Sequence, residues 1–264
     1  MDLRLSFNEV SSEYDRLRPH YPDALSPDLI AYSMLNAEKD ALEIGIGSGQ
    51  ATLPFLRTGC GIVSVEIGDK LAEYTQGKFA SFERFKVINQ DFESVSLASD
   101  SFDLVYSASA FHWIDPKVGI PKVYRLLKGG GVFAWISVTP APAERRMYDE
   151  LQKVYENYNR YFGRNKPEFD RSLEVQKEQS CRVDTFKNNG FVELTDKLYH
   201  GTRAFSARDY AALCGTYSDH RAIPERDRTR FLSEIEDVVD RCGGTFTFAD
   251  TFLLCMGKKP NLGT

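Results

Sequence analysis

The chain has 264 residues, 42% of them hydrophobic and 27% charged, with a formal net charge of −5. That length can bury one sizeable core, and the composition is that of an ordinary globular protein. The acidic balance offers phosphate backbones no broad positive field, so nucleic acid is not expected as a partner. No run approaches the roughly 18 apolar residues that span a bilayer, so no membrane is expected either. The opening MDLRLSFNEV has no long apolar run and no small-residue cleavage site, and no signal peptide is read there. Five scattered cysteines (60, 181, 214, 242, 255) form no CxxC pair. This speaks against a disulfide framework or zinc site and fits a reducing cytoplasm.

Residues 1–39 read as helical and partly amphipathic. Arg18-Pro19-His20-Tyr21-Pro22 interrupts them, because two prolines forbid a regular helix. Ala41-Leu42-Glu43-Ile44 is a buried strand running into a glycine cluster, and helical spacing follows at Ala51, Leu53, Phe55 and Leu56. A strand at 62–67, a helix from 69 to about 82, and a strand at 85–88 come next. Another strand at 102–107 precedes a helix near 117–127 and a fifth strand at 131–138. Strands alternating with helices at this spacing indicate right-handed βαβ units and a mostly parallel, doubly wound sheet. Residues 141–188 are polar, aromatic and helical, too long for a simple connection, and read as an inserted cap. Two late strands, 191–199 and 245–256, flank a helical stretch from 206 to 241. No repeat, low-complexity tract or separating linker is seen.

Glu43-Ile44-Gly45-Ile46-Gly47-Ser48-Gly49 lies where a strand hands over to a helix. In open α/β sheets, ligands bind outside the carboxyl ends of strands, at the switch point of strand order. A dinucleotide fingerprint counted from Gly45 requires a small residue at position 50, which is Gln. The third glycine therefore comes one residue early. The acid at Glu43 is wrong for pyrophosphate and suits a ligand carrying an ammonium group. Glu66, at the end of the second strand, is placed to accept hydrogen bonds from two ribose hydroxyls, with Ile67 beside it. That device serves NAD enzymes equally well. Asp91-Phe92 follows the third strand, and Asp91 also reads as an ordinary turn or cap residue.

The glycine segment resembles motif I of the class I S-adenosyl-methionine methyltransferases. Phe102-Asp103-Leu104-Val105 and Leu127-Lys128-Gly129-Gly130-Gly131 resemble that family's fourth-strand motif and the loop before its fifth strand. The resemblance covers residues 40–138. It implies a Rossmann-like, seven-stranded, mostly parallel sheet whose last strand is antiparallel, with a helical cap. It also implies S-adenosyl-L-methionine as cofactor. Glu43, Gly45, Gly47, Ser48 and Gly49 would hold the methionine part, Glu66 and Ile67 the ribose side, and Asp91 and Phe92 the adenine. Ser107 and Ala108 would line the path of methyl transfer. Ser107-Ala108-Ser109-Ala110-Phe111-His112-Trp113-Ile114 resembles the small-molecule branch that includes trans-aconitate and ubiquinone/menaquinone biosynthesis methyltransferases. So do Phe7, Tyr14 and the Arg18–Pro22 segment.

An imidazole's unperturbed pKa near neutrality suits general-base work at His112, although an imidazole that only fixes its loop is the competing reading. Tyr14, Arg18, Tyr21, Trp113 and Tyr217 are the expected acceptor contacts. Cap arginines Arg145, Arg146, Arg160 and Arg164 make a carboxylate acceptor a reading to test, because guanidinium pairs bidentately with carboxylate. His20, His112, His200 and His220 have no metal-ligand spacing.

One domain is expected over 1–264. It would comprise an N-terminal cover (1–39), a cofactor core (40–138), a cap (139–188) and C-terminal strands and helices (189–264), as a monomer or homodimer. The competing functions are a non-catalytic cofactor-binding module and an NAD-dependent oxidoreductase.

Overall fold

The computed structural model describes residues 17, 20–162 and 168–261. Tyr14, Arg18 and Arg164 lie outside these. Seven strands form one sheet in the order β3-β2-β1-β4-β5-β7-β6: β1 Asp40–Ile44, β2 Gly61–Glu66, β3 Phe85–Asn89, β4 Phe102–Ala108, β5 Leu127–Pro142, β6 Val192–Ser206 and β7 Thr245–Lys258. The pairs β1–β2, β1–β4, β2–β3 and β4–β5 are parallel. The last strand runs antiparallel to β5. Gly130 and Lys259 meet at one end (Gly130 N to Lys259 O, 2.9 Å), and Ala143 N reaches Thr247 O (2.9 Å) at the other. β1, with β2 on one side and β4 on the other, marks the switch point.

The chain divides into two compact units, and β5, β6 and β7 contribute residues to both. The larger holds 20–138, 174–199 and 252–261. Its helices are α1 Leu25–Ser33, α2 Thr52–Leu56, α3 Asp69–Lys78 and α4 Pro116–Leu126. The sheet alternates its side chains between two cores. Ala41, Ile62, Leu104 and Tyr106 join Leu29 of α1 and Phe55 of α2 on one face. Leu42, Ile44, Val65 and Val105 join Ile120, Val123 and Leu126 of α4 on the other. Covering both faces is what makes the strands read as nearly continuous apolar runs. Helix α4 starts where it does because Asp115 caps it, accepting the Lys117 N–H at 2.9 Å, and Pro116 supplies a preset first turn.

The smaller unit holds 139–173 and 200–251, with Leu17 in its core. In α5 Arg145–Asn157, Met147, Leu151 and Val154 fall on one helical face and are buried. In α10 Glu225–Arg241, Phe231, Ile235 and Val238 do the same. The remaining helices are α6 Asn159–Phe162, α8 Ala207–Gly215 and α9 Ser218–Arg221. Helix α7, Ser172–Asn188, contributes Phe186 to the larger unit's second core.

Among the described residues the expected strands and helices recur, with differences in extent. The helix expected to reach about 82 ends at Lys78, and β5 runs on to Pro142 rather than 138. β5 begins at Leu127 rather than 131, absorbing the glycine run through a register shift between Phe102 and Leu104. β6 extends to Ser206, whose hydroxyl then caps α8. The stretch 206–241 is three helices, because the chain turns at Thr216–Tyr217 and again at Pro224.

Candidate cofactor site

The carboxyl ends of β1, β2, β3 and β4 bring most of the expected residues into one region of the larger unit. After β1 the backbone enters the left-handed region at Gly45 (φ 71°), Gly47 (φ 57°) and Gly49 (φ 80°). The glycines serve different ends. A Cβ at Gly45 would lie 2.4 Å from the Cβ of Ala110, and one at Gly49 would lie 2.5 Å from the ring of Phe79. These two permit close packing of the turn against its neighbours, whereas Gly47 presents backbone. Its N–H donates to Glu66 Oε2 at 2.9 Å.

Glu66, 7% exposed, receives a second amide, Gly68 N–H, at Oε1 (2.9 Å). Burial raises its pKa, and the Gly68 and Gly47 amide bonds oppose the rise. The Ile67 amide also bonds to Glu66, and since a carboxylate has about four lone-pair sites, acceptor capacity is left for a ligand hydroxyl. Ile67 is half-buried beside it, and its carbonyl accepts from Asn89 Nδ2 at 3.1 Å.

Glu43 is 1% exposed. Its Oε2 accepts the hydroxyls of Thr52 (2.9 Å) and Ser64 (3.4 Å), so the carboxyl lies within the fold, below the turn. Burial pushes its pKa up to about 7, and the nearby Glu66 adds to the rise. Ser48 is fully buried, and its carbonyl is held by Lys78 Nζ at 2.8 Å. No pattern in the sequence marks Thr52, Ser64 or Lys78 as partners of this loop. They meet it only through the packing of α2, β2 and α3.

Asp91 opens a tight turn after β3. Its Oδ1 accepts the Glu93 N–H (3.2 Å), and its carbonyl accepts the N–H of Val95 (2.9 Å). The ring of Phe92 is 4% exposed and packs with Ile44 and Val65. The part of this residue left to meet a ligand is therefore its backbone. Ser107 is fully buried, its hydroxyl donating to Ile44 O at 2.9 Å and tying β4 to β1. Ala108 is half-buried.

Ser109 adopts φ 57° without being glycine, which marks a constrained backbone that the sequence does not announce. Its Oγ accepts the Tyr21 hydroxyl at 3.1 Å. A 3-10 turn, Phe111–Trp113, follows. His112 is exposed on it, with its ring 5.2 Å from that of the half-buried Trp113.

Tyr217 belongs to the smaller unit, at the start of α9, with its ring 5.3 Å from that of His220. Two cap arginines are engaged on the surface: Arg145 with Asp149 (2.9 Å) and Arg160 with Asp227 (2.6 Å). Arg146 is exposed. Among the described residues no group of His, Cys, Asp and Glu could hold a metal, and no helix is long and apolar enough to cross a membrane.

Residues 42–135 match the family model described as a methyltransferase domain. An uncharacterized methyltransferase of Mycobacterium tuberculosis is 32% identical over 130 residues, 49% of this chain and 51% of that protein. A malonyl-[acyl-carrier protein] O-methyltransferase of Enterobacter lignolyticus is 28% identical over 141 residues, 49% of this chain and 53% of that protein. The chain thus spans about half the length of the curated relatives it matches. Haemonchus contortus phosphoethanolamine N-methyltransferase 2, solved with S-adenosylhomocysteine, shares the fold. The match has a TM-score of 0.55 at 14% identity and covers 98% of this chain and 60% of that one. Residues 42–135 thus form a methyltransferase domain, set in the Rossmann-like sheet that class I S-adenosyl-methionine-dependent methyltransferases share. The cofactor of that family is S-adenosyl-L-methionine.

Proposed function

We propose that this protein transfers the methyl group of S-adenosyl-L-methionine to a small-molecule acceptor. The observation that carries the reading is the Gly45–Gly49 turn, cross-tied to β2 by the Glu66 carboxylate. In this reading Gly47 and Ser48 lie beneath the methionine part of the cofactor, and Glu43 acts from below through Thr52 and Ser64. Glu66 accepts the ribose hydroxyls beside Ile67. Asp91 accepts the adenine amino group, and the Phe92 backbone meets the ring. The backbones of Ser107 and Ala108 border the path of the methyl group. When bound, the cofactor supplies an activated methyl: the S–C bond breaks with its electron pair going to sulfur as the acceptor–carbon bond forms. Positioning and exclusion of water are then the protein's main contribution.

Tyr21 and Trp113 are the acceptor contacts proposed in the larger unit; Tyr217, in the smaller unit, stays an expectation. His112 is proposed as the base for acceptors that carry a proton. Tyr14 and Arg18, outside the described residues, remain expectations. A carboxylate is the acceptor class to try first. Its support is the O-methylation of a malonyl-[acyl-carrier protein] named for the Enterobacter lignolyticus relative, a malonyl group ending in a carboxylate, and not the cap arginines Arg145 and Arg160, which are paired with aspartates.

The test is calorimetric titration with S-adenosylhomocysteine, with NAD as control, followed by turnover assays on small carboxylic acids. Micromolar binding of S-adenosylhomocysteine, no heat from NAD, and methyl ester formation are expected. A folded protein that binds neither ligand overturns the reading. Binding without turnover on any acceptor favours a non-catalytic cofactor-binding module.

A further inference from the structure

Lys122 lies in the middle of α4 and reaches back to the turn that follows β3. Its Nζ donates to three backbone carbonyls: Phe92 at 2.6 Å, Glu93 at 3.2 Å and Val95 at 2.5 Å. An ammonium has three N–H donors, so each is matched to one carbonyl. The same nitrogen stands 5.1 Å from the centre of the Phe92 ring. A second tie joins the same two elements. The Glu93 side chain accepts the backbone N–H of Asp115 at 2.8 Å, and Asp115 is the cap of α4. The turn carrying Asp91 and the helix that follows His112 and Trp113 are therefore clamped together from both ends.

We propose that Lys122 is a positioning residue for adenine recognition. By holding three carbonyls of the turn it fixes the Asp91 carboxylate and the Phe92 backbone where the adenine edge must meet them. This rests on the assignment of Asp91 to the adenine amino group. The backbone of a five-residue turn has many conformations of similar energy, and the bonds to Asp91 close the turn end to end without holding the Phe92, Glu93 and Val95 carbonyls. Three carbonyls converging on one cation remove that freedom before the ligand arrives, so the ordering is not charged against binding. A lysine on the exposed side of an amphipathic helix would do none of this.

The experiment is calorimetry on the full chain with two ligands, S-adenosylhomocysteine and S-inosylhomocysteine, whose purine carries an oxo group in place of the amino group. The wild type should prefer the amino form by at least about tenfold, since a site built to pair a donor rejects the analogue lacking it. Lys122→Met should weaken S-adenosylhomocysteine about tenfold, on the order of one lost hydrogen bond, and change the inosyl ligand by less than about twofold. The preference would thus collapse. If Lys122→Met does not fold, Lys122→Gln, which stays polar but cannot reach three carbonyls, should show the same collapse.

A variant that keeps the full wild-type preference and affinity overturns the role of Lys122 while leaving the Asp91 assignment standing. Equal weakening of both ligands reduces Lys122 to a general structural tie and overturns it too. A wild type with no preference overturns the Asp91 assignment, and the role of Lys122 falls with it.

Discussion

The Glu66 carboxylate accepts the Gly47 amide at one oxygen and the Gly68 amide at the other, each at 2.9 Å, and so bridges the loops that leave β1 and β2. A strand-end acid that already orders the glycine turn can meet a diol without further rearrangement. Glu66→Ala should lower S-adenosylhomocysteine affinity by at least about tenfold, because bonds to a charged acceptor are worth roughly 1.5–3 kcal/mol each. It should also cost about 1–3 kcal/mol of stability through the two orphaned amides. Calorimetry and urea denaturation measure the two effects separately. Wild-type affinity in a destabilised variant would confine Glu66 to a structural role.

The approach of Gly45 to Ala110 makes a second point about the turn. A Cβ at position 45 meets the Ala110 Cβ at 2.4 Å and also sits on a backbone of φ 71°. Gly45→Ala should therefore lose stability twice over, by about 1–3 kcal/mol for the left-handed conformation and a similar amount for overpacking. Adding Ala110→Gly removes the clash and leaves the conformational strain. The double variant should recover part of the loss, not all of it. Complete recovery would show that φ at this position carries no strain, and no recovery would show that Ala110 is not the obstacle.

Glu43 gives the fold a pH dependence of unusual direction for a carboxylate. With its pKa pushed up to about 7 by burial, the folded chain keeps a proton that the unfolded chain releases above about 4.5. Folding then becomes less favourable as pH rises from about 4.5 to 7 and is level above that. The size is on the order of 3 kcal/mol for a shift of this extent. Glu43→Gln cannot titrate. Wild-type stability minus that of Glu43→Gln should therefore fall across this window in urea titrations run at several pH values. A difference that does not vary with pH would mean that Glu43 ionises in the folded protein as it does in the unfolded chain.

Much of this architecture is legible in the sequence because period and punctuation carry it. Apolar runs such as Ala41–Ile44 end in glycine, α4 opens on Asp115-Pro116, and βαβ spacing leaves few topologies. The glycine turn and Glu66 are legible for the same reason, as both stand where strands end. Lys122, Thr52 and Ser64 are not. A lysine in mid-helix reads as solvated, and a Thr or Ser reads as neutral, until packing across 9 to 27 residues of chain sets them against Val95 or Glu43. The Phe92 ring illustrates the converse. The family resemblance places the residue beside the adenine, yet the ring is buried with Ile44 and Val65 because the turn after β3 folds it back onto that core. The extra length of β6 is hidden too, since His200-Gly201-Thr202-Arg203 shows no polar–apolar alternation, although burial still alternates along the strand.

His112 offers a test that reads out the acceptor as well as the residue. It is exposed on the 3-10 turn that follows β4, within reach of solvent and of any group brought to that end of the sheet. General-base help is worth about 10²–10⁴-fold, but only where the acceptor must lose a proton in the transition state. An ionised carboxylate has none to lose. His112→Ala should therefore reduce kcat by about 10²-fold or more for hydroxyl or amine acceptors. For a carboxylate, kcat should stay within about threefold, since no proton transfer is lost with the imidazole. S-adenosylhomocysteine affinity, read by calorimetry, should not move in either case. A large loss with a carboxylate would assign His112 to binding or loop structure instead. Unchanged turnover of a hydroxyl acceptor, with its pH–rate profile intact, would remove His112 from the chemistry.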